Sequence, residues 1–136
     1  MGNRYKQVVD ERFLQDLRDI IAQLSPEDRG FFKDQVVNEM YELDSNWEKI
    51  SRDTEYPPLS TYDYKKRYLH SIPVHIKQAR GWEDLSSDYR IVFKVHEDTN
   101  ELYFYAIGKR IKGLPKDPKD IWALIKGRDL PEEVDS

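Results

Sequence analysis

The chain contains no cysteine. That absence excludes disulfides, thiolate metal sites and cysteine nucleophiles, and it suits a reducing compartment. No apolar run approaches the roughly 20 residues that a membrane-spanning helix requires. Glycine is also scarce, with 6 isolated residues, so the chain has no glycine-rich loop for the phosphates of a nucleotide. We therefore expect a soluble, cytoplasmic protein with no membrane contact and no small-molecule cofactor.

Metal-binding patterns are missing as well. The three histidines are irregularly spaced and form no His-Glu-x-x-His motif, so no metal site is predicted. At 136 residues the chain is expected to form one domain. We assign that domain to residues 1–128 and interpret residues 129–136 as a frayed acidic tail.

Charge is unevenly distributed along the chain. Residues 62–128 contain 14 basic and 9 acidic side chains, whereas residues 1–61 contain 8 basic and 13 acidic ones. Residues 129–136 add four acids and no base. Because partners respond to local potential, the basic half could face an anionic partner, although uneven surface charge is also common in proteins without one.

The strongest structural pattern is a β-hairpin. From Tyr89 to His96, apolar residues alternate with residues that include Arg90 and Lys94, which is typical of a strand with one buried face. A polar segment, 97–101, precedes a second β-rich run, 102–107, which should return antiparallel to the first. Gly108 then ends the strand beside Lys109 and Arg110.

Two helices are predicted before the hairpin. Residues 4–9 could form an edge strand, after which Asp10 can cap a first helix. Ser25 and Pro26 have the cap-then-proline order that begins a second, long helix, unless Ser45-Asn46 ends it early. Apolar residues at helical spacing give each helix one stripe, and the antiparallel pair can cover one face of a small sheet.

The remaining segments are less regular. Residues 52–80 are a connection or an insertion. Within them, Tyr56-Pro57-Pro58 breaks the helix. Apolar and polar residues alternate over 74–77, which is sufficient for a short strand. Asp117-Pro118 should begin a short helix that packs on the sheet. The predicted fold class is α+β: a small curved antiparallel sheet backed by an N-terminal helical hairpin, with a short C-terminal helix.

The hairpin resembles the RelE/ParE superfamily of bacterial toxins from toxin–antitoxin modules. The resemblance is specific over residues 85–110, where Tyr89-Arg90 and Gly108-Lys109-Arg110 match the family's two strand motifs. It implies a cytoplasmic toxin neutralised by a cognate antitoxin. In the RelE branch such a toxin cleaves mRNA, usually on the ribosome, without metal; in the ParE branch it poisons DNA gyrase.

The resemblance also implies site residues. Arg90 and Arg110 match the two arginines with which the family handles phosphate, and arginine suits that task because its planar fork binds two oxygens and stays charged. By direct count, the family's basic strand residues fall near Gly81 and Glu83, and the tyrosine or histidine that follows Gly-Lys-Arg is missing. If residues 62–77 supply the neighbouring strand, we expect His70, His75 or Lys77 to replace the missing groups, and imidazole has a suitable pKa for proton transfer. The expected substrate-binding residues are Lys94, Lys109, Lys77 and Arg80.

Three functions therefore remain open. The first is an endoribonuclease toxin, and the second is a member of the same fold that no longer cleaves but binds an antitoxin-like protein, gyrase or RNA. The third is an interaction protein of unrelated fold. The sequence alone does not decide whether the chain is an enzyme. Charge alone suggests a further hypothesis, in which the acidic tail folds back onto the basic face and weakens RNA binding.

Overall fold

The structure, a computed structural model, describes residues 4–110, 121–125, 128 and 130–134. The predicted helix start at Asp117-Pro118 lies outside these residues. The elements, in chain order, are β1 (Lys6–Val9), α1 (Glu11–Gln23), α2 (Pro26–Ile50), β2 (Arg52–Asp53), β3 (Lys65–Leu69), α3 (Val74–Ala79), β4 (Tyr89–His96), β5 (Glu101–Lys109), α4 (Ile121–Ile125) and α5 (Pro131–Val134).

The strands form one mixed sheet in the order β1-β5-β4-β3-β2. The β4–β5 hairpin and the β3–β4 and β2–β3 pairs are antiparallel, whereas β1 pairs in parallel with β5. The predicted α+β class is confirmed, and so is the hairpin. The parallel edge could not be anticipated, because nothing in the residues of β1 specifies which strand it joins.

Both long helices begin where their caps predict. The Asp10 side chain accepts a hydrogen bond from the backbone N–H of Arg12 at 2.7 Å, and the Ser25 hydroxyl accepts one from the N–H of Asp28 at 3.3 Å. These bonds satisfy donors that have no partner inside the first turn. The second helix continues to Ile50, so Ser45-Asn46 does not end it.

The main core lies between the two long helices and one face of the sheet, which we call the α1/α2 face. Phe13, Phe32 and Leu43 from the helices are buried against Ile91 and Phe93 of β4. The predicted apolar stripes and the predicted alternation of β4 thus meet in one cluster. Burying side chains of this size stabilises the fold by about 1.5–3 kcal/mol each.

A second apolar cluster covers part of the opposite face, which we call the α4 face. Val92 and Ala106 of the sheet are buried there against Ile121 and Ile125 of α4 and against Leu130. The predicted packing of a C-terminal helix on the sheet is confirmed. The prediction of a frayed tail is wrong for residues 130–134, because Leu130 is buried and α5 follows it.

The segment 52–80 contributes β2, β3 and α3. The prediction of a strand at residues 74–77 is wrong, since these residues begin α3. The carbonyl of Pro73 accepts hydrogen bonds from Ile76 and Lys77 at 3.0 and 3.1 Å, which closes a helical turn. Only Lys77 of the helix is buried, so the alternating apolar residues of 74–77 do not form the buried face of a strand. None of the described helices is long and apolar enough to cross a membrane.

Candidate functional site

Strand register brings a group of polar residues together on the α4 face. Tyr68 of β3 lies opposite Arg90 of β4, and Lys66 lies opposite Val92. Residues directly opposite in paired strands share a face and contact each other, so Lys66, Tyr68 and Arg90 lie on the face to which Val92 contributes.

Arg110, directly after β5, completes this group. Its guanidinium carbon lies 4.5 Å from the centre of the Tyr68 ring, and that of Arg90 lies 5.0 Å from the same centre. A hydrogen bond to the carbonyl of Ser87, 3.3 Å from Nη1, helps to hold the Arg110 side chain. The two arginines predicted from the motif therefore flank one phenol. We call Lys66, Tyr68, Arg90 and Arg110 the Tyr68 cluster.

The cluster changes the acidity of its tyrosine. Burial alone would raise the pKa of Tyr68, but the charges and hydrogen bonds of Lys66 and Arg90 outweigh burial and lower that pKa below its ordinary value. The cations stabilise the phenolate form in particular. An anion held by the same cations, such as a phosphate, would be stabilised in the same way.

Counter-charge at the cluster is weak in the part of the chain that the structure describes. Lys66 pairs with Glu55 at 3.4 Å, but the Glu55 side chain is 68% exposed. The Lys66 side chain is 7% exposed, so the pair is half-exposed, and solvent around Glu55 screens part of its charge. Arg110 pairs with no carboxylate of the described residues. Arg110 is half-buried and pairs with none of these carboxylates, whereas Lys66 is only 6% exposed, so Arg110 is the cation of this pair that an incoming anion can reach.

Helix α4 covers one member of the cluster. The guanidinium of Arg90 lies 4.5 Å from the centre of the Trp122 ring, and only 6% of Arg90 is exposed. Tyr68 and Arg110 are half-buried. A ligand can therefore reach Tyr68 and Arg110 with α4 in place, whereas direct contact with Arg90 requires Trp122 to move.

Gly108 allows this close approach of α4. A Cβ at position 108 would lie 3.1 Å from Cβ and 3.4 Å from Cα of Ile121. We expect Gly108→Ala to push α4 outward and to lower the free energy of unfolding by about 1 kcal/mol, since overpacking outweighs the entropic gain of replacing glycine. Urea denaturation would measure the loss. An equally stable or more stable variant would show that α4 is not held closely against β5.

Lys94 lies farther along the α4 face, where the C-terminal segment covers it. Its ammonium nitrogen is 2.6 Å from Glu132 Oε1, and Glu132 also accepts a hydrogen bond from the Tyr64 hydroxyl at 3.2 Å. Burial alone would raise the pKa of Glu132, but the hydrogen bond and charge of Lys94 lower it overall. The expected substrate-binding residue Lys94 is thus neutralised by an acid of this chain.

Two other predicted site residues, Lys77 and His70, lie in a separate cluster at the end of β3. The Lys77 side chain is fully buried, with Nζ 3.0 Å from His70 Nδ1, 3.0 Å from the Ser86 carbonyl and 3.1 Å from Asp88 Oδ1. Burial and the Lys77 charge lower the pKa of His70, which keeps its imidazole neutral at pH 7. In this arrangement Lys77 supports the end of β3, and its side chain has no exposed surface.

The remaining predicted residues do not join the Tyr68 cluster. Arg80 pairs with Asp28 at 2.8 Å and so connects α3 to α2. His75 is exposed on α3. Lys109 lies opposite Tyr89 in the β4–β5 register, which places it on the α1/α2 face, opposite to Arg90.

The sequence prediction missed Lys66 and Tyr68. Counting directly back from Tyr89 pointed to Gly81 and Glu83, but α3 and the residues up to 88 lie between β3 and β4. The strand that precedes β4 is therefore Lys65–Leu69, which contains the run Lys65-Lys66-Arg67-Tyr68. That basic, β-compatible run was the signal that could have located the neighbouring strand.

Comparisons with known proteins give matches among solved structures only. No protein-family model matches the chain, and no curated protein matches it. The fold is similar to a chain in the crystal structure of the toxin–antitoxin complex RelBE2 from Mycobacterium tuberculosis, with a TM-score of 0.49 and 10% sequence identity. The match covers 79% of this chain and 99% of the other. A likeness of this strength assigns no function to the chain.

Proposed function

We propose that this protein is a RelE-like toxin of a toxin–antitoxin module and that it cleaves mRNA without a metal ion. The observation that carries the proposal is the Tyr68 cluster, in which three cations surround one phenol on the α4 face. Metal-free RNA cleavage needs a group that accepts the proton of the ribose 2′-hydroxyl and cations that stabilise the charge developing on the phosphate. Both kinds of group are present in the cluster.

Arg110 is the member best suited to bind the scissile phosphate. It is half-buried, lies beside Tyr68, and has no carboxylate partner among the described residues. Its fork can bind two phosphate oxygens at once, and Lys66 adds a second positive charge. Arg90 would add a third positive charge. It would contact the phosphate directly if Trp122 moves, and it would act through its electric field if α4 stays in place.

The partners follow from the resemblance of the hairpin to the RelE/ParE superfamily. The proposed substrate is mRNA, bound alone or on the ribosome, and the proposed inhibitor is a cognate antitoxin. The reaction would take place in the cytoplasm and would require no cofactor. The half-buried Arg110, with the buried charge of Lys66 behind it, gives an acidic antitoxin segment a site to neutralise.

The burial of Arg90 favours a second candidate function. A guanidinium held between the rings of Tyr68 and Trp122 can serve to fix α4 on the sheet. In that case the protein keeps the fold but does not cleave, and it binds RNA, an antitoxin-like protein or gyrase. The two candidates differ in whether new RNA ends form.

Induced expression in bacteria tests the proposal. Wild-type protein should arrest growth and generate new 5′ ends in cellular mRNA, whereas the double variant Lys66→Ala/Arg110→Ala should do neither. Growth arrest without new RNA ends would support the non-cleaving candidate. Normal growth with unchanged RNA, from protein shown to be folded, would contradict the toxin proposal.

The contact between Glu132 and Lys94 gives a further prediction. We expect Glu132→Gln to tighten RNA binding at low salt, because Lys94 is released to contact a phosphate. Because one phosphate contact is added, the gain in RNA affinity should shrink by roughly threefold between 50 and 200 mM salt. Fluorescence anisotropy with a labelled RNA would measure both effects. Substitution is preferable to deletion of residues 129–136, which would also remove the buried Leu130.

Glu48→Gln is the matched control for this experiment. Glu48 is exposed on α2, so its replacement removes the same charge far from the α4 face. It should leave the salt dependence of RNA binding unchanged. If Glu132→Gln and Glu48→Gln behave alike, the C-terminal segment does not mask the basic face.

A further inference from the structure

We propose that Tyr68 is the catalytic base of the RNA cleavage, and that its phenolate oxygen accepts the proton of the ribose 2′-hydroxyl. This inference rests on the proposed function. It names a residue that no motif in the chain identifies, because the position of Tyr68 beside the arginines depends on the β3–β4 register.

The geometry supports this role through the surroundings of the ring. Lys66 Nζ lies 5.6 Å from the ring centre, and the guanidinium carbons of Arg90 and Arg110 lie 5.0 and 4.5 Å from it. The three cations come from three places in the chain: β3, β4 and the residue after β5. A phosphate bound by Arg110 would thus lie beside the phenol, within reach of the group that must accept the proton.

The charged groups that face the phenol explain how Tyr68 can act as a base at moderate pH. Among the residues that the structure describes, they are Lys66, with its partner Glu55 after β2, and the two arginines, which stay charged throughout the accessible range. Burial raises the pKa of Tyr68, but the charges and hydrogen bonds of Lys66 and Arg90 lower it overall. A phenol whose pKa is lowered supplies more phenolate at any pH below that value.

The histidines are poorer candidates for the base. His70 Nδ1 is occupied by the buried Lys77 ammonium at 3.0 Å, within the separate cluster at the end of β3. His75 is exposed on α3. Among the described residues, Tyr68 is the titratable side chain whose ring contacts both Arg90 and Arg110.

The reaction balances without a co-reactant other than water. As the 2′-oxygen forms a bond to phosphorus, its proton passes to the Tyr68 phenolate and the bond from phosphorus to the 5′-oxygen breaks. The leaving 5′-oxygen takes a proton from water, and the resulting hydroxide takes the proton back from Tyr68. The products are a 2′,3′-cyclic phosphate and a 5′-hydroxyl end.

The first test is Tyr68→Phe, which keeps the ring against both arginines and removes only the hydroxyl. Single-turnover cleavage should slow by about 10²–10⁴-fold, the usual contribution of a general base, with RNA affinity nearly unchanged. Tyr41→Phe is the matched control, because Tyr41 is exposed on α2 and its hydroxyl lies far from the cluster. A cleavage rate of Tyr68→Phe within threefold of wild type would overturn the role of Tyr68 but leave the proposed function standing.

A second variant separates chemistry from packing. Incorporating 3-fluorotyrosine at position 68 lowers the pKa of the phenol with little change in shape. For a catalytic base, the rise of the cleavage rate with pH should move to lower pH. An unmoved profile would overturn the inference even if Tyr68→Phe is slow. If the wild-type protein cleaves no RNA, free or ribosome-bound, the proposed function fails and this inference fails with it.

Discussion

Replacing Asp88 with alanine is expected to destabilise the protein by about 3 kcal/mol, at the lower end of the cost of breaking a buried ion pair. The Lys77 ammonium is fully buried and pairs with Asp88 at 3.1 Å, while the Asp88 side chain keeps 30% of its surface exposed. Without this carboxylate the charge stays inside the protein, where its remaining partners among the described residues are the Ser86 carbonyl, the His70 ring and the Trp82 ring. The backbone N–H and hydroxyl of Ser71 lose their acceptor at the same time.

Denaturation with urea and with heat would measure this loss, which for a domain of this size corresponds to a fall in Tm of roughly 10 °C. The second change Lys77→Met supplies the control. The double variant Asp88→Ala/Lys77→Met should recover part of the lost stability, because no charge is then left unpaired. If Asp88→Ala is as stable as wild type, the ion pair does not hold the end of β3 to β4.

Replacing Arg110 with alanine is expected to lower the rate of RNA cleavage by about 10²–10³-fold, as for the loss of one group that stabilises charge in a transition state. Arg110 is half-buried beside the Tyr68 ring, and its loss should cost far less stability than the loss of the almost fully buried Arg90. A single-turnover assay with a labelled RNA would measure the rate. Arg110 is therefore a clearer test of phosphate binding than Arg90, whose removal would also unpack Trp122.

Two further variants make the Arg110 experiment specific. Arg18→Ala removes the same charge from an exposed position on α1 and should cleave like wild type. Arg110→Lys keeps the charge but loses the planar fork, so its rate should fall between those of wild type and Arg110→Ala. If all three variants cleave at the wild-type rate, Arg110 does not bind the scissile phosphate.

Much of the fold could be predicted because local signals determined it. Asp10, Ser25 and Pro26 fixed the starts of the two long helices, and the alternation of β4 together with its polar turn fixed the hairpin. Residues 74–77 were misread because four alternating residues are compatible with both a strand and a helical turn. Pro73, which favours the first turn of a helix, was the better guide.

The site could be predicted only in part, for a related reason. Arg90 and Arg110 belong to the two strand motifs that resemble the RelE/ParE superfamily, so their residue types and spacing were sufficient to propose them as site residues. Tyr68 and Lys66 join them through strand pairing across about 20 residues, and no local pattern encodes the register of that pairing. Similarly, the burial of Lys77 and the contact of Glu132 with Lys94 depend on tertiary packing.

The most direct test of metal-free RNA cleavage is an assay with purified wild-type protein and Arg110→Ala, in the presence of a metal chelator. The substrate should be a labelled mRNA, supplied free and on ribosomes. Wild-type protein should cleave at least one form, leaving a 2′,3′-cyclic phosphate, and Arg110→Ala should cleave at least about 100-fold more slowly. Folded wild-type protein that leaves both forms intact would contradict the proposed cleavage.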